Sequence, residues 1–337
     1  MAASAEEMRI MFSILAIGRL LFAMLVTASP IIPLAAHAQP YPARPVRIIV
    51  PFPAGGGTDV IARSLGDELS RGMGKPFIVE NKPGAGSVMG NDLVAKSPAD
   101  GYTLLLTTSA FSIVASIGIK LPYGGIQAFE PVALLGRAPN VVLVRNDSRI
   151  RSAADLLREA KATPGKLTYG SAGNGTSVHL AAEYFQSLAG IRLVHVPYRG
   201  SAPQFADVMA GHIDVAFATM ASAATLIRDG RVRALAVTSP ARSPAFPEVP
   251  AVAEAGVKGY SAEVWYGVFV PKGTPATVVA ALHRAIAQAS AGGAFRDRLA
   301  REGVVGGIGS PQDLRATAEQ EVSRWLKVVK DKEIRIE

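Results

Sequence analysis

From residue 41 onward, short apolar runs alternate with longer stretches whose apolar residues recur every three or four positions. The short runs predict strands at 46–50, 77–80, 103–107, 132–135, 141–145, 167–170, 193–196, 213–218, 233–238 and 266–270. The longer stretches predict helices at 58–72, 87–96, 152–162, 176–188, 202–210, 220–229, 275–290, 293–302 and 311–330. In the first of these, Ile61, Leu65, Leu69 and Met73 follow each other in steps of four and draw one apolar stripe. Ser152 with Asp155 makes a capping pattern ahead of Leu156-Leu157, and Pro164-Gly165 ends that helix. Thr274-Pro275 supplies a cap and a first-turn proline for the helix after it. Strand alternating with helix predicts an α/β fold with mostly parallel sheets. No internal repeat, low-complexity tract or flexible interdomain linker interrupts the pattern.

The first 38 residues follow a different rule. Arg9 and Arg19 precede an apolar run from Leu20 to Ala36, and Ala36-His37-Ala38 fits a small-x-small cleavage site. Pro30 and Pro33 within that run suit a signal peptide better than a membrane span. The expectation is an exported chain cut near Ala38/Gln39, with an uncleaved anchor as the alternative. The chain has no cysteine, which excludes disulfides and a lipid anchor on a cysteine.

Removing 38 of the 337 residues leaves 337 − 38 = 299, enough for two α/β lobes. The net charge of +8 is unchanged by the cut, because Arg9 and Arg19 balance Glu6 and Glu7. These charges are scattered, without the dense Lys/Arg runs or aromatic–basic alternation of a nucleic-acid binder. A modest positive field still favours anionic solutes.

In open α/β sheets a ligand sits beyond the carboxyl ends of the strands, so the residues that follow each strand are the candidates. The segment after 46–50 passes Pro51 and Pro53, then Gly55-Gly56-Gly57, and opens a helix at Thr58-Asp59. Such a turn aims backbone N–H groups and a helix dipole at an anion, and glycine lets the ligand approach the main chain. Asp59 there orients the loop or a bridging water, since a bare carboxylate would repel an anion. Thr108-Ser109 follows 103–107, and Ser171-Ala172-Gly173-Asn174-Gly175-Thr176 follows 167–170. Tyr198-Arg199-Gly200-Ser201 follows 193–196, and Thr219-Met220-Ala221-Ser222 follows 213–218. One such end is an ordinary turn; five together predict a cleft rich in donors and poor in negative charge.

Catalytic chemistry is not legible. The histidines outside the leader (His179, His195, His212, His283) show no metal-ligand spacing, so no metal and no cofactor is expected. Tyr169-Gly170-Ser171-Ala172-Gly173 misses a nucleophile elbow because tyrosine replaces its first glycine. Gly173-Asn174-Gly175 begins a dinucleotide fingerprint but has Val178 in place of the last glycine. No nucleophile–base pair can be read from the chain. His179, one turn into a helix, is open between a ligand contact and a packed residue.

Seven motifs then occur in order: Val-Pro-Phe-Pro-Ala-Gly-Gly-Gly-Thr-Asp (50–59), Glu-Asn-Lys-Pro-Gly-Ala-Gly-Ser (80–87), Asp-Gly-Tyr-Thr-Leu (100–104), Tyr-Gly-Ser-Ala-Gly-Asn-Gly-Thr (169–176), Val-Pro-Tyr-Arg-Gly (196–200), Gly-His-Ile-Asp (211–214) and Trp-Tyr-Gly-Val-Phe-Val-Pro-Lys-Gly-Thr-Pro (265–275). Together they resemble the Bug-type periplasmic solute-binding proteins of tripartite tricarboxylate transporters, across the whole mature chain. The resemblance implies a type II-like two-lobed flytrap that captures a small carboxylate for a membrane permease of a large and a small subunit. It implies a periplasmic, non-enzymatic, monomeric receptor. The lobes are expected at 39–140 with 263–337, and at 141–262. By the family pattern the 52–59 loop (Phe52, Ala54, Gly55, Gly56, Thr58, Asp59) and Ser87 hold a ligand carboxylate from the first lobe. Ser171–Thr176 and Tyr198-Arg199-Gly200 close from the second. Many relatives carry two glycines where Gly55-Gly56-Gly57 has three, which leaves open which N–H groups face the ligand. Arg199 either pairs with a second ligand carboxylate or makes a salt bridge at the surface or between lobes. An exported α/β enzyme acting on carboxylic acids and a ligand sensor are the competing readings.

Overall fold

The computed structural model describes residues 41–331, together with residues 4, 7–11 and 13, of which 7–11 are helical. The apolar run and cleavage pattern read as an export signal lie outside the described residues. Among its described residues, the unit from Tyr41 onward carries nine strands: β1 (Val46–Val50), β2 (Phe77–Asn81), β3 (Thr103–Thr108), β4 (Phe129–Arg145), β5 (Thr168–Ser171), β6 (Val194–Pro197), β7 (Val215–Thr219), β8 (Val232–Val237) and β9 (Glu263–Pro271). Its α-helices are α1 (Gly57–Met73), α2 (Val88–Ala95), α3 (Ala110–Ser116), α4 (Ala153–Ala162), α5 (Ser177–Ala189), α6 (Ser201–Ala210), α7 (Met220–Arg228), α8 (Ala276–Ala291), α9 (Ala294–Arg301) and α10 (Pro311–Asp331).

The strands run in the order β2-β1-β3-β9-β4-β7-β5-β6, with β8 also on β4. Strand β4 belongs to two sheets. Over 129–139 it pairs with β9, and over 140–145 with β7 and β8. On the first side β1, β2, β3 and β4 run one way and β9 the other. On the second, β5, β6, β7 and β8 run one way and β4 the other. Each lobe is thus a mostly parallel sheet with one reversed strand.

Period-two alternation buries both faces of both sheets. Ile48 and Val50 join the cluster around Leu65 and Leu104, while Ile49 joins Phe111, Trp265 and Phe269. Likewise Val142 and Val144 face Tyr169, Phe185 and Phe217, whereas Val141 and Leu143 face Phe205 and Val237. The stripe on α1 is the core-facing one: Ile61, Leu65 and Leu69 are buried, and Met73 packs beside them. Ser152 caps α4 by accepting from the Asp155 amide at 3.1 Å. Helix α10 starts with Leu314 among the first lobe's core residues and carries Trp325 onto Leu180 of α5.

Two readings of the pattern are corrected. The expected strands 132–135 and 141–145 are one strand of 17 residues. Gly136 and Pro139 look like punctuation in sequence, but Gly136 sits at a bulge with φ 136° and Pro139 pairs with Glu263 where the strand leaves β9. The α3 helix was unmarked because Phe111, Ile113 and Val114 are all buried, so it has no polar face. Among the described residues no helix is long and apolar enough to cross a membrane.

Candidate functional site

Four helices begin around one small cavity of about 60 Å³. It is lined by Gly56, Gly57 and Thr58 at the start of α1, Thr176 and Ser177 at α5, Gly200 and Ser201 at α6, and Thr219 before α7. Thr108, at the end of β3, adds another hydroxyl. Helix N-termini carry unsatisfied N–H groups and positive dipole ends, so their convergence favours an anion. Thr176 and Thr219 cap their helices by accepting from the amides of His179 and Ser222. Gly56 and Gly200 bring no side-chain cap, which leaves the first N–H groups of α1 and α6 without a side-chain acceptor.

A second cavity of about 550 Å³ adjoins the first and shares Phe52, Pro53, Ala172, Thr176 and Gly200 with it. Its walls are largely apolar, from Pro51, Pro83, Ala85 and the Tyr198 ring, with Ser87, Gly173, Asn174 and Arg199 as further lining. The Tyr198 hydroxyl donates to Asp207 Oδ2 at 2.6 Å, and burial together with that carboxylate pushes its pKa up to about 12. Gly84, Ala85, Gly86 and Ser87 are all at positive φ, including 106° at Ser87. For the two non-glycines this is a strained turn. Ser87 is held there by the Asn91 amide, 3.1 Å from its hydroxyl.

Other expected site residues stand behind these walls. The buried Asp59 accepts from the Gly55 amide at 2.9 Å, from Arg63 at 3.0 Å and from Asn81 at 3.0 Å. Burial alone would raise its pKa, but these hydrogen bonds outweigh it and keep the carboxyl below its usual range. The Gly55 N–H is therefore occupied, and Ala54 beside it is exposed. Ser109 is buried at the start of α3, outside both cavities. Gly175 donates to His179 Nδ1 at 3.2 Å, and His179 stacks on His195. His179 thus supports the 171–176 turn from behind.

The structure does bring together a nucleophile and a base, contrary to the sequence reading. Ser171 Oγ lies 2.7 Å from His195 Nε2. The pair escaped detection because β5 and β6 place residues 24 apart side by side, through the Tyr169–His195 register. Ser171 is fully buried, lines neither cavity, and also bonds Gly173 across its own turn. No carboxylate contacts His195 among the described residues. The pair fastens a loop.

Sequence reasoning missed Ser177 and Val178 in the small cavity, and Pro83 and residues 84–86 in the large one. Running the 171–176 segment two residues further, into the helix, would have reached Ser177 and Val178. Gly57, at the start of α1, lies against the start of α7. A Cβ built on it would lie 2.7 Å from Ala221 Cβ and 2.9 Å from the Ser222 nitrogen. Gly200, at φ 105°, meets Pro53, and Gly86 meets the Asn174 carbonyl.

Residues 61–334 match the sequence model of the tripartite tricarboxylate transporter family receptor. A protein of Pseudomonas sp. (strain P51) encoded in the tcbD-tcbE intergenic region is 40% identical over 296 residues, 88% of either chain. Protein BugT of Bordetella pertussis is 37% identical, covering 87% of this chain and 91% of its own. Among solved structures, periplasmic binding protein BugD matches with TM-score 0.81 at 33% identity, over 87% of this chain and 99% of its own. Rpa4515 of R. palustris with adipate matches at 0.84 and 34%, over 87% and 99%. MatC (Rpa3494) of Rhodopseudomonas palustris with bound malate matches at 0.79 and 29%, over 86% and 100%. Similarity of this extent, in sequence and in fold, makes the chain a member of the tripartite tricarboxylate transporter receptor family.

Proposed function

We infer that this protein is a periplasmic receptor that captures a small carboxylate and delivers it to a tripartite tricarboxylate transporter-type permease of a large and a small subunit. The observation that carries the reading is the hydroxyl-lined cavity at four helix N-termini, with no acidic side chain on its wall. Charge-assisted hydrogen bonds from neutral donors are each worth about 1.5–3 kcal/mol. Three or four of them, less ordering costs, support micromolar binding, about −8 kcal/mol. Adipate and malate in two structural relatives agree with a carboxylate ligand here.

The lobe boundaries proposed are 39–140 with 263–337, and 141–262, with the ligand closed between them. Binding residues on the first lobe are Phe52, Gly56, Gly57, Thr58, Ser87 and Thr108. On the second they are Gly173, Asn174, Thr176, Tyr198, Arg199, Gly200 and Thr219. Asp59, Ser171 and His179 position these. The protein acts as a monomer and catalyses nothing: the Ser171–His195 pair has neither access to a cavity nor an acid to orient its base. Native mass spectrometry of freshly purified protein should find a carboxylic acid in the cleft, and titration calorimetry should return its affinity. Failure of every carboxylate tried to bind would overturn the reading.

A further inference from the structure

We propose that the physiological ligand is an apolar-bodied dicarboxylate, aliphatic or aromatic, whose second carboxylate pairs with Arg199. The proposal rests on the carboxylate-receptor reading and narrows its ligand class. Arg199 is the one charged side chain on the walls of either cavity among the described residues. It has no ion pair or hydrogen bond to any described residue, and it is an exposed member of the larger cavity's lining. An arginine fork matches a carboxylate with two parallel N–H donors, so an unpaired guanidinium at the rim of a ligand chamber selects a second acid group.

The chamber between the two ends narrows the choice. The small cavity, about 60 Å³, has room for one carboxylate head, whereas the adjoining chamber of about 550 Å³ takes a body of several carbons or a ring. That body meets prolines, Ala85, Ala172, Phe52 and Tyr198. Of the polar groups nearby, the Tyr198 and Thr176 hydroxyls already donate their protons, to Asp207 and to the Gly173 carbonyl, and the Ser87 hydroxyl accepts from Asn91. Hydroxyl or extra carboxyl substituents on the body would lose water without gaining comparable partners. An amino acid is disfavoured by the same count, because no Asp or Glu lines either cavity to receive its ammonium group.

The experiment is titration calorimetry of the mature protein with hexanedioate, its monomethyl ester, terephthalate, glutamate and citrate. A diacid should bind at least about tenfold more tightly than the half-ester, and glutamate and citrate more weakly than either diacid. Arg199→Met should lower diacid affinity about ten- to a hundredfold, the loss of a charge-assisted pair, and the half-ester's far less. Arg199→Lys should retain part of the preference. Equal affinity for diacid and half-ester, a preference surviving Arg199→Met, or tightest binding of glutamate or citrate would each overturn the proposal while leaving a carboxylate receptor. Absence of binding by all five acids would instead remove the receptor reading beneath it.

Discussion

His179 and His195 lie face to face, with ring centroids 4.1 Å and planes 10° apart, directly behind the turn that lines both cavities. Tyr169 also stacks on His195 at 4.7 Å and donates its hydroxyl to Glu183. Burial lowers the pKa of His179 from 6.5 to about 3, with His195 adding to the effect, and burial lowers His195 to about 4. Above 6.5 both rings are neutral in folded and unfolded chains, so neither contributes a pH dependence. As pH falls from 6.5 towards 4, the unfolded chain takes up protons that the folded chain refuses, and stability drops. For His179 the slope approaches about 1.4 kcal/mol per pH unit. Urea midpoints at about pH 7, 6 and 5 should therefore decline, and His179→Gln should flatten the decline. A midpoint constant over this range in the wild-type protein would contradict the assignment.

Gly57 sits where α1 meets the Ala221–Ser222 backbone, so a methyl there must push α1 and α7 apart. Gly57→Ala should weaken ligand binding at least about tenfold, about 1.4 kcal/mol, with little change in melting temperature. Gly56 is different. Its φ is −78° and a Cβ would meet only the Pro53 carbonyl, at 3.5 Å. Gly56→Ala should cost far less binding than Gly57→Ala, as calorimetry on the two variants will decide; the reverse order would sink the closure argument.

Much of this was legible before any coordinates. The alternating apolar runs put most strands and helices within a residue or two of their places, because each element either buries one stripe or ends at a marked cap. The strand-end rule found Thr58, Thr108, Thr176, Gly200 and Thr219, which the fold gathers around one cavity. What escaped depended on contacts between distant segments. Ser171 and His195 meet only through strand pairing, and the engagement of the Gly55 N–H by Asp59 needs the loop's actual path. Likewise, nothing local marks Gly57 as the glycine that faces Ala221 and Ser222.

The point where β4 passes from its pairing with β9 to its pairing with β7 and β8 is tied by a buried knot. Asn140 donates from its side chain to the Ala262 carbonyl at 2.8 Å and from its backbone to Thr238 Oγ1 at 2.7 Å. Thr238 Oγ1 in turn lies 2.8 Å from the same Ala262 carbonyl. Both side chains are essentially inaccessible. Thr238→Val keeps the shape but leaves the Asn140 amide without its acceptor, a loss of about 1–3 kcal/mol. Chemical denaturation should register that loss, and an unshifted midpoint would mean the knot contributes nothing.

The hydroxyls around the small cavity divide by what else they do, which separates binding from folding. Thr219 Oγ1 accepts from the Ser222 amide at 3.3 Å and so caps α7 as well as lining the cavity. Thr58 lines the same cavity, is buried, and has no hydrogen-bond partner for its hydroxyl among the described residues. Thr219→Ala should therefore lower both stability, by about 1 kcal/mol for a lost cap, and ligand affinity. Thr58→Ala should lower affinity by about 1 kcal/mol, near fivefold, and leave the melting temperature of the ligand-free protein where it was. Melting curves without ligand and calorimetry with a bound acid measure the two effects separately. If Thr58→Ala melted early and bound normally, its hydroxyl would belong to the fold rather than to the ligand.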